Sequence, residues 1–158
     1  MTHPEVDPVQ HARELAWAAL NRRERTEAEL RWLLTGKRAH PDAIEEVVSE
    51  LVEQGYLDDA SYAQRFAEDR RRLDAWGSER IERRLLAAGV APEHIAAALG
   101  DGGGEFEAAM TLLRRRMPQP PSTLQERDRA LGLLLRKGYE RELAYDAVRL
   151  HAGAAEEF

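Results

Sequence analysis

A spaced apolar pattern that occurs three times, about fifty residues apart, is the strongest limit on what this chain can fold into. The first copy reads Leu30-x-x-x-Leu34, Arg38-Ala39-His40-Pro41, Ile44-x-x-Val47-Val48. Shifted by 51 residues it becomes Ile81-x-x-x-Leu85, Gly89-Val90-Ala91-Pro92, Ile95-x-x-Ala98-Leu99. Shifted by a further 49 it becomes Ala130-x-x-x-Leu134, Gly138-Tyr139-Glu140-Arg141, Ala144-x-x-Ala147-Val148. A period of this size is the mark of a stacked array, in which each unit buries its apolar face against its neighbours. Such arrays present long surfaces and seldom hold a catalytic pocket, so the pattern leans away from an enzyme.

The units read as helical. Leu and Ala together number 45 against 10 for Val and Ile, a balance that favours helix over strand. Residues 1–10 hold two prolines and little periodicity and are expected to be a disordered lead-in. A helix from about His11 to Arg22 follows, with Leu15, Ala19 and Arg22 on one face and Ala12, Ala16 and Leu20 on the adjoining one. Thr26-x-x-Glu29 is a capping box that opens a second helix carrying Leu30, Leu33 and Leu34. Pro41 suits the first turn of a third, which ends at Gly55.

The plan then repeats. Asp58 or Asp59 caps a helix from about Ala60 to Leu73, and Ser78 is the expected N-cap of the next after the break at Trp76-Gly77. Pro92 opens a short third helix. Asp101-Gly102-Gly103-Gly104 reads as a linker, and a last unit starts near Glu105, restarts at a second capping box, Thr123-x-x-Glu126, and turns at Gly138. The expected organisation is a lead-in (1–10), three three-helix repeats (11–56, 57–100 and 105–152), the linker 101–104 and a tail 153–158. The fold class is all-α, an elongated and curved array of three tandem three-helix repeats.

Several function classes fall away. The five histidines, at 3, 11, 40, 94 and 151, have no partner four residues away and no acid placed to complete a metal site; His40 and His94 sit at helix starts. The Asp58-Asp59 pair reads as capping favoured by the helix dipole. The Gly102–Gly104 run lacks the Lys-Ser/Thr of a phosphate loop. No catalytic residue, cofactor or metal is therefore expected. No stretch approaches the ~20 apolar residues of a membrane span, the N-terminus lacks a signal peptide's basic and apolar regions, and there is no cysteine. A soluble cytoplasmic monomer with no membrane contact is expected.

Charge picks out a surface. The net is −5 over residues 1–58, zero over 59–100 and +4 over 111–151. A polyanionic or acidic partner would be met by the middle and last repeats. Arg70, Arg71 and Arg72 close one helix, and Arg80, Arg83 and Arg84 share a face of the next, so six guanidinium groups can flank the Trp76-Gly77 corner. Arg114, Arg115 and Arg116, with Arg136 and Lys137, take comparable places in the last repeat. Arginine suits phosphates and acidic protein surfaces because its two parallel N–H donors match an oxygen pair. The bland reading is a solvated face, with cations at helix C-termini and Glu68, Glu79 and Glu82 neutralising several of them. Trp17 and Trp32 read as packing residues, Trp32 with part of its ring exposed, and Trp76, in a loop, as a contact candidate.

The middle repeat resembles a known family. Gly55-Tyr56-Leu57-Asp58-Asp59-x-x-Tyr62-Ala63, followed by Arg70-Arg71-Arg72-x-x-x-Trp76-Gly77-x-x-Arg80-Ile81-x-x-x-Leu85-x-x-x-Gly89-Val90, is similar to the core of the RecX regulatory proteins. With the flanking repeats the resemblance covers roughly residues 11–151. It implies tandem three-helix repeats and a modulator of the recombinase RecA that lodges in the RecA–DNA filament groove. ATP hydrolysis, strand exchange and coprotease action would be restrained, in DNA repair and recombination and SOS control, with DNA met weakly or through RecA. Arg38 stands where the other two copies have glycine. Short helices and tight turns also describe a helix-turn-helix module acting directly on DNA.

Overall fold

The structure is a computed structural model that describes residues 7–153. Among the described residues there are nine α-helices and no strand: α1 (Pro8–Arg22), α2 (Glu27–Gly36), α3 (Pro41–Glu53), α4 (Asp59–Asp74), α5 (Ser78–Ala87), α6 (Pro92–Leu99), α7 (Glu105–Arg116), α8 (Leu124–Lys137) and α9 (Arg141–Gly153). The all-α reading of three successive three-helix sets holds. The first helix starts earlier than expected, at Pro8, because Asp7 accepts a hydrogen bond from the Val9 N–H at 3.0 Å and Pro8 occupies the first turn. Residues 8–10 of the expected lead-in are thus helical; residues 1–6, and the tail 154–158, lie outside the described residues.

Local chemistry accounts for the helix ends. Thr26 and Glu29 form the reciprocal capping box at α2. His40 caps α3, its Nδ1 accepting from the Asp42 N–H at 3.2 Å ahead of Pro41. Asp58 and Asp59 divide the role expected of either. Asp58 accepts from the Ser61 N–H and hydroxyl, at 3.1 and 2.9 Å, and these bonds hold its carboxyl below the usual range. The buried Asp59 instead accepts the Glu27 N–H at 3.0 Å, at the start of α2. At α8 the Thr123 hydroxyl accepts from the Glu126 N–H, but Glu126 reaches the Ser122 N–H rather than that of Thr123, so the box is shifted by one residue.

Two compact units make up the chain. One takes residues through Ala63 together with Leu85–Ile95; the other takes Gln64–Arg84 together with Ala96 onward. The middle repeat therefore gives part of α4, α5 and α6 to each. In the first unit, Ala12, Ala16 and Ala19 of α1 pack with Leu30 and Leu34 of α2 and Ile44, Val47, Val48 and Leu51 of α3. Arg22 is exposed rather than part of that face. In the second, Met110, Leu112 and Leu113 of α7 pack with Ala130 and Leu134 of α8 and Ala144, Ala147 and Val148 of α9, over Tyr139. The repeated positions are thus core positions, each large one worth roughly 1.5–3 kcal/mol of burial.

Each unit contains a joint at the equivalent place, where the turn ending one repeat's second helix meets the start of the previous repeat's second helix. In the first unit the Thr26 hydroxyl donates to the Ala88 carbonyl at 2.6 Å. A Cβ on Gly89 would lie 2.3 Å from Ala28 Cβ. In the second, the Gly77 N–H donates to the Lys137 carbonyl at 2.7 Å and the Glu79 N–H to the Gly138 carbonyl at 3.0 Å. A Cβ on Gly138 would lie 2.3 Å from Arg80 Cβ and 2.5 Å from Arg80 N, and one on Gly77 2.5 Å from the Gly138 carbonyl. Only backbone without side chain fits these contacts.

Candidate partner-binding surface

All eleven residues singled out for binding fall in the second unit. The corner forms because α4 closes in a left-handed turn: Ala75 takes φ +55° and the Trp76 N–H returns to the Arg70 carbonyl at 3.2 Å, one residue wider than the six-residue closure of a Schellman end. That turn, and the joint at Gly77, place the indole of Trp76 against Phe66, edge to face at 6.0 Å between centroids. Around the ring stand three guanidinium groups. Arg80 lies 4.1 Å from the indole centroid, Arg84 5.6 Å and Arg70 5.9 Å, within the reach of cation–π attraction. Trp76 itself is only 8% exposed. Its role is to carry arginines, rather than to offer an open aromatic face.

The rest of the set divides. Lys137 Nζ donates to the Asp74 carbonyl at 2.9 Å, and Arg80 donates to the Arg136 carbonyl at 3.2 Å, so the α8–α9 turn joins the corner. Arg71 is tied inward, to the Leu99 carbonyl at 2.9 Å and the Ser78 hydroxyl at 3.3 Å, with Glu105 3.9 Å away. Arg70 pairs with Asp74, and Arg72 with Asp69 at 3.5 Å. These acids, rather than the expected Glu68, Glu79 and Glu82, are the partners the structure gives them. Arg83 is exposed beside the Arg80 and Arg84 face. Arg114 lines a separate cavity of about 480 Å³ with Met110, Asp146, Arg149, Leu150 and His151, and Arg115 is exposed at the end of α7.

Three side-chain contacts of the corner are not legible in the sequence. Ser78 is the first residue of α5, not its cap, and its hydroxyl donates to Glu105. Asp74 holds Arg70. Tyr139 is buried and donates to the Ala75 carbonyl at 2.9 Å; burial pushes its phenol up to about 12. The repeat did mark Tyr139, because Ala39 and Val90 hold the same place and are buried too. Its hydroxyl had no such marker. Among the described residues no three His, Cys, Asp or Glu side chains gather as a metal site would need. His151 is buried with Nε2 2.7 Å from the Met117 carbonyl. No helix among them is long and apolar enough to cross a membrane.

With this geometry in place, comparison with known proteins is decisive. Residues 12–51 match the first three-helix domain of RecX and residues 58–99 the second. The regulatory protein RecX of Xanthomonas axonopodis pv. citri is 36% identical over 138 residues, spanning 86% of this chain and 82% of that protein. The chain belongs to the RecX family. That of Mycobacterium sp. (strain JLS) is 29% identical over 164 residues, covering 98% of this chain and 90% of the relative. The crystal structure of RecX from Lactobacillus salivarius shares the fold, with a TM-score of 0.78, 21% identity, and coverage of 94% of this chain and 98% of that one. RecX proteins are regulatory proteins, and the resemblance carried by the middle repeat is thereby confirmed as family membership.

Proposed function

We propose that this RecX-family chain acts by binding, as a regulator that restrains the RecA–DNA filament in the cytoplasm. The observation that carries the reading is the middle-repeat motif, whose Arg70, Trp76, Gly77 and Arg80 form one preorganised basic corner. A regulator of this kind needs a rigid surface and no reacting group. Its action on ATP hydrolysis, strand exchange and coprotease activity would follow from occupying the filament and hindering subunit exchange.

The test is direct. RecA, single-stranded DNA and ATP mixed with rising amounts of the protein should show ATP turnover falling toward a plateau. Unchanged turnover at saturating protein would sink the reading. Independent action on DNA is weighed against by charge: the first unit carries 7 Lys/Arg against 14 Asp/Glu, and the second 16 against 15. A direct DNA binder must neutralise several phosphates, and its affinity falls steeply with salt.

A further inference from the structure

We infer that Arg80 and Arg84, stacked on Trp76, form a carboxylate-binding site for an acidic segment of a protein partner, and that DNA is not its ligand. The inference rests on the proposed function only in taking the partner to be a protein. Of the arginines at the corner, Arg70 is matched by Asp74, Arg71 is spent on the Leu99 carbonyl, and Arg72 is matched by Asp69. Arg80 and Arg84 form no ion pair among the described residues, although Arg80 gives one Nη1 donor to the Arg136 carbonyl at 3.2 Å. They sit one helical turn apart on the same ring, and Lys137 is anchored alongside through Asp74. A guanidinium lying on an aromatic face carries its five N–H donors in its own plane, so those not already bonded can meet the oxygens of a carboxylate. Stacking also removes the rotamer freedom that a free arginine would lose on binding.

Three observations favour carboxylates over a nucleic-acid strand. Single strands bind by stacking bases on open aromatic faces, and Trp76 is only 8% exposed with Arg80 over it. The cations converge on one ring instead of running along a track, and Glu79 and Glu82 interrupt α5. The chain as a whole carries −6, which opposes an extended polyanion more than a short acidic segment.

The experiment uses the full chain and two fluorescein-labelled probes of matched length: a twenty-residue peptide of alternating Glu and Gly, and oligothymidine. Anisotropy at low salt should give tighter binding of the peptide than of the oligonucleotide. Arg80→Gln with Arg84→Gln should weaken the peptide at least tenfold with far-UV helicity unchanged, while Arg114→Gln with Arg115→Gln should leave it within twofold. Arg84→Lys should recover less than half of the lost affinity, because an ammonium keeps the charge and loses the fork. Tighter binding of oligothymidine, or an Arg80/Arg84 variant that binds the peptide like the native protein, would overturn the assignment. RecA ATPase with the same variant separates the two ideas. Inhibition that survives the variant in full overturns the site and leaves the regulator; no inhibition by the native protein overturns the regulator, and the peptide still decides the site.

Discussion

At the start of α2, the Thr26 hydroxyl accepts the Glu29 N–H and donates to the Ala88 carbonyl, while Trp32, 56% exposed, lies beside Gly89. At the start of α5, the same task of holding the following repeat's turn falls to the Gly77 and Glu79 N–H groups, and the nearby indole is buried under arginines. The two joints occupy equivalent places in the repeats and differ in the groups that close them. The first is closed by a hydroxyl and the Asp59 carboxylate. The second is closed by glycine against glycine, which brings Arg80 and Lys137 together. The joint is thus a place common to the repeats, and an arginine-stacked indole is added to one copy of it. Repeat arrays allow this, since each unit needs only its neighbour contact to be preserved.

The largest effect should come from placing a methyl in the second joint. Gly138→Ala puts Cβ 2.3 Å from Arg80 Cβ and 2.5 Å from its backbone nitrogen, at φ +97°, and overpacking plus left-handed strain should cost about 3 kcal/mol or more. Chemical denaturation measures it. In the first joint, Gly89→Ala meets the Ala28 side chain instead, so adding Ala28→Gly should recover part of that loss. No change at Arg80 should rescue Gly138→Ala, because a backbone atom is in the way. Equal rescue at both joints would erase the distinction drawn between them.

Thr26→Ala removes the cap and the bond to the Ala88 carbonyl and should lower stability by about 1–2 kcal/mol. Tyr139→Phe, at the second joint, should cost about 1 kcal/mol for the lost hydrogen bond to Ala75. Its effect depends on pH. The phenol's pKa is raised from 10.0 to about 12 in the folded chain, so its stabilisation is complete below pH 10 and is lost as pH rises toward 12. The gap between native and Tyr139→Phe stability should therefore shrink in that window, and a gap that stays constant would contradict a buried neutral phenol. The smallest effect is a gain. Arg38 takes φ +61° where the other repeats use glycine, and Arg38→Gly should raise stability by up to about 1 kcal/mol, less the added freedom of the unfolded chain.

Periodicity made the core legible. Leu30, Leu34, Val47, Ile81, Leu85, Ala130 and Leu134 were all marked by the repeat, and all are buried. Helix ends at Thr26, Pro41 and Gly55 were readable because a cap is a local event, settled within four residues. The early start of α1 was hidden by reading prolines as disorder, although Pro8 is favoured in a first turn. Arg80, Arg84 and Trp76 were recognised as a set, yet which arginines were already paired was not readable. Asp74 and Asp69 are local partners of Arg70 and Arg72, but Leu99 and Glu105 reach Arg71 from later helices.

By itself, then, the sequence determined the helices, the threefold plan, the buried positions and the concentration of positive charge in the later repeats. These depend on spacing and composition, which act along the chain. The tertiary structure alone decided that α4, α5 and α6 each serve two units, that Gly77 meets Gly138, and that Trp76 is a buried platform instead of an exposed contact. Those outcomes depend on ångström-scale approach between residues some sixty positions apart, and no local pattern records where such residues will meet.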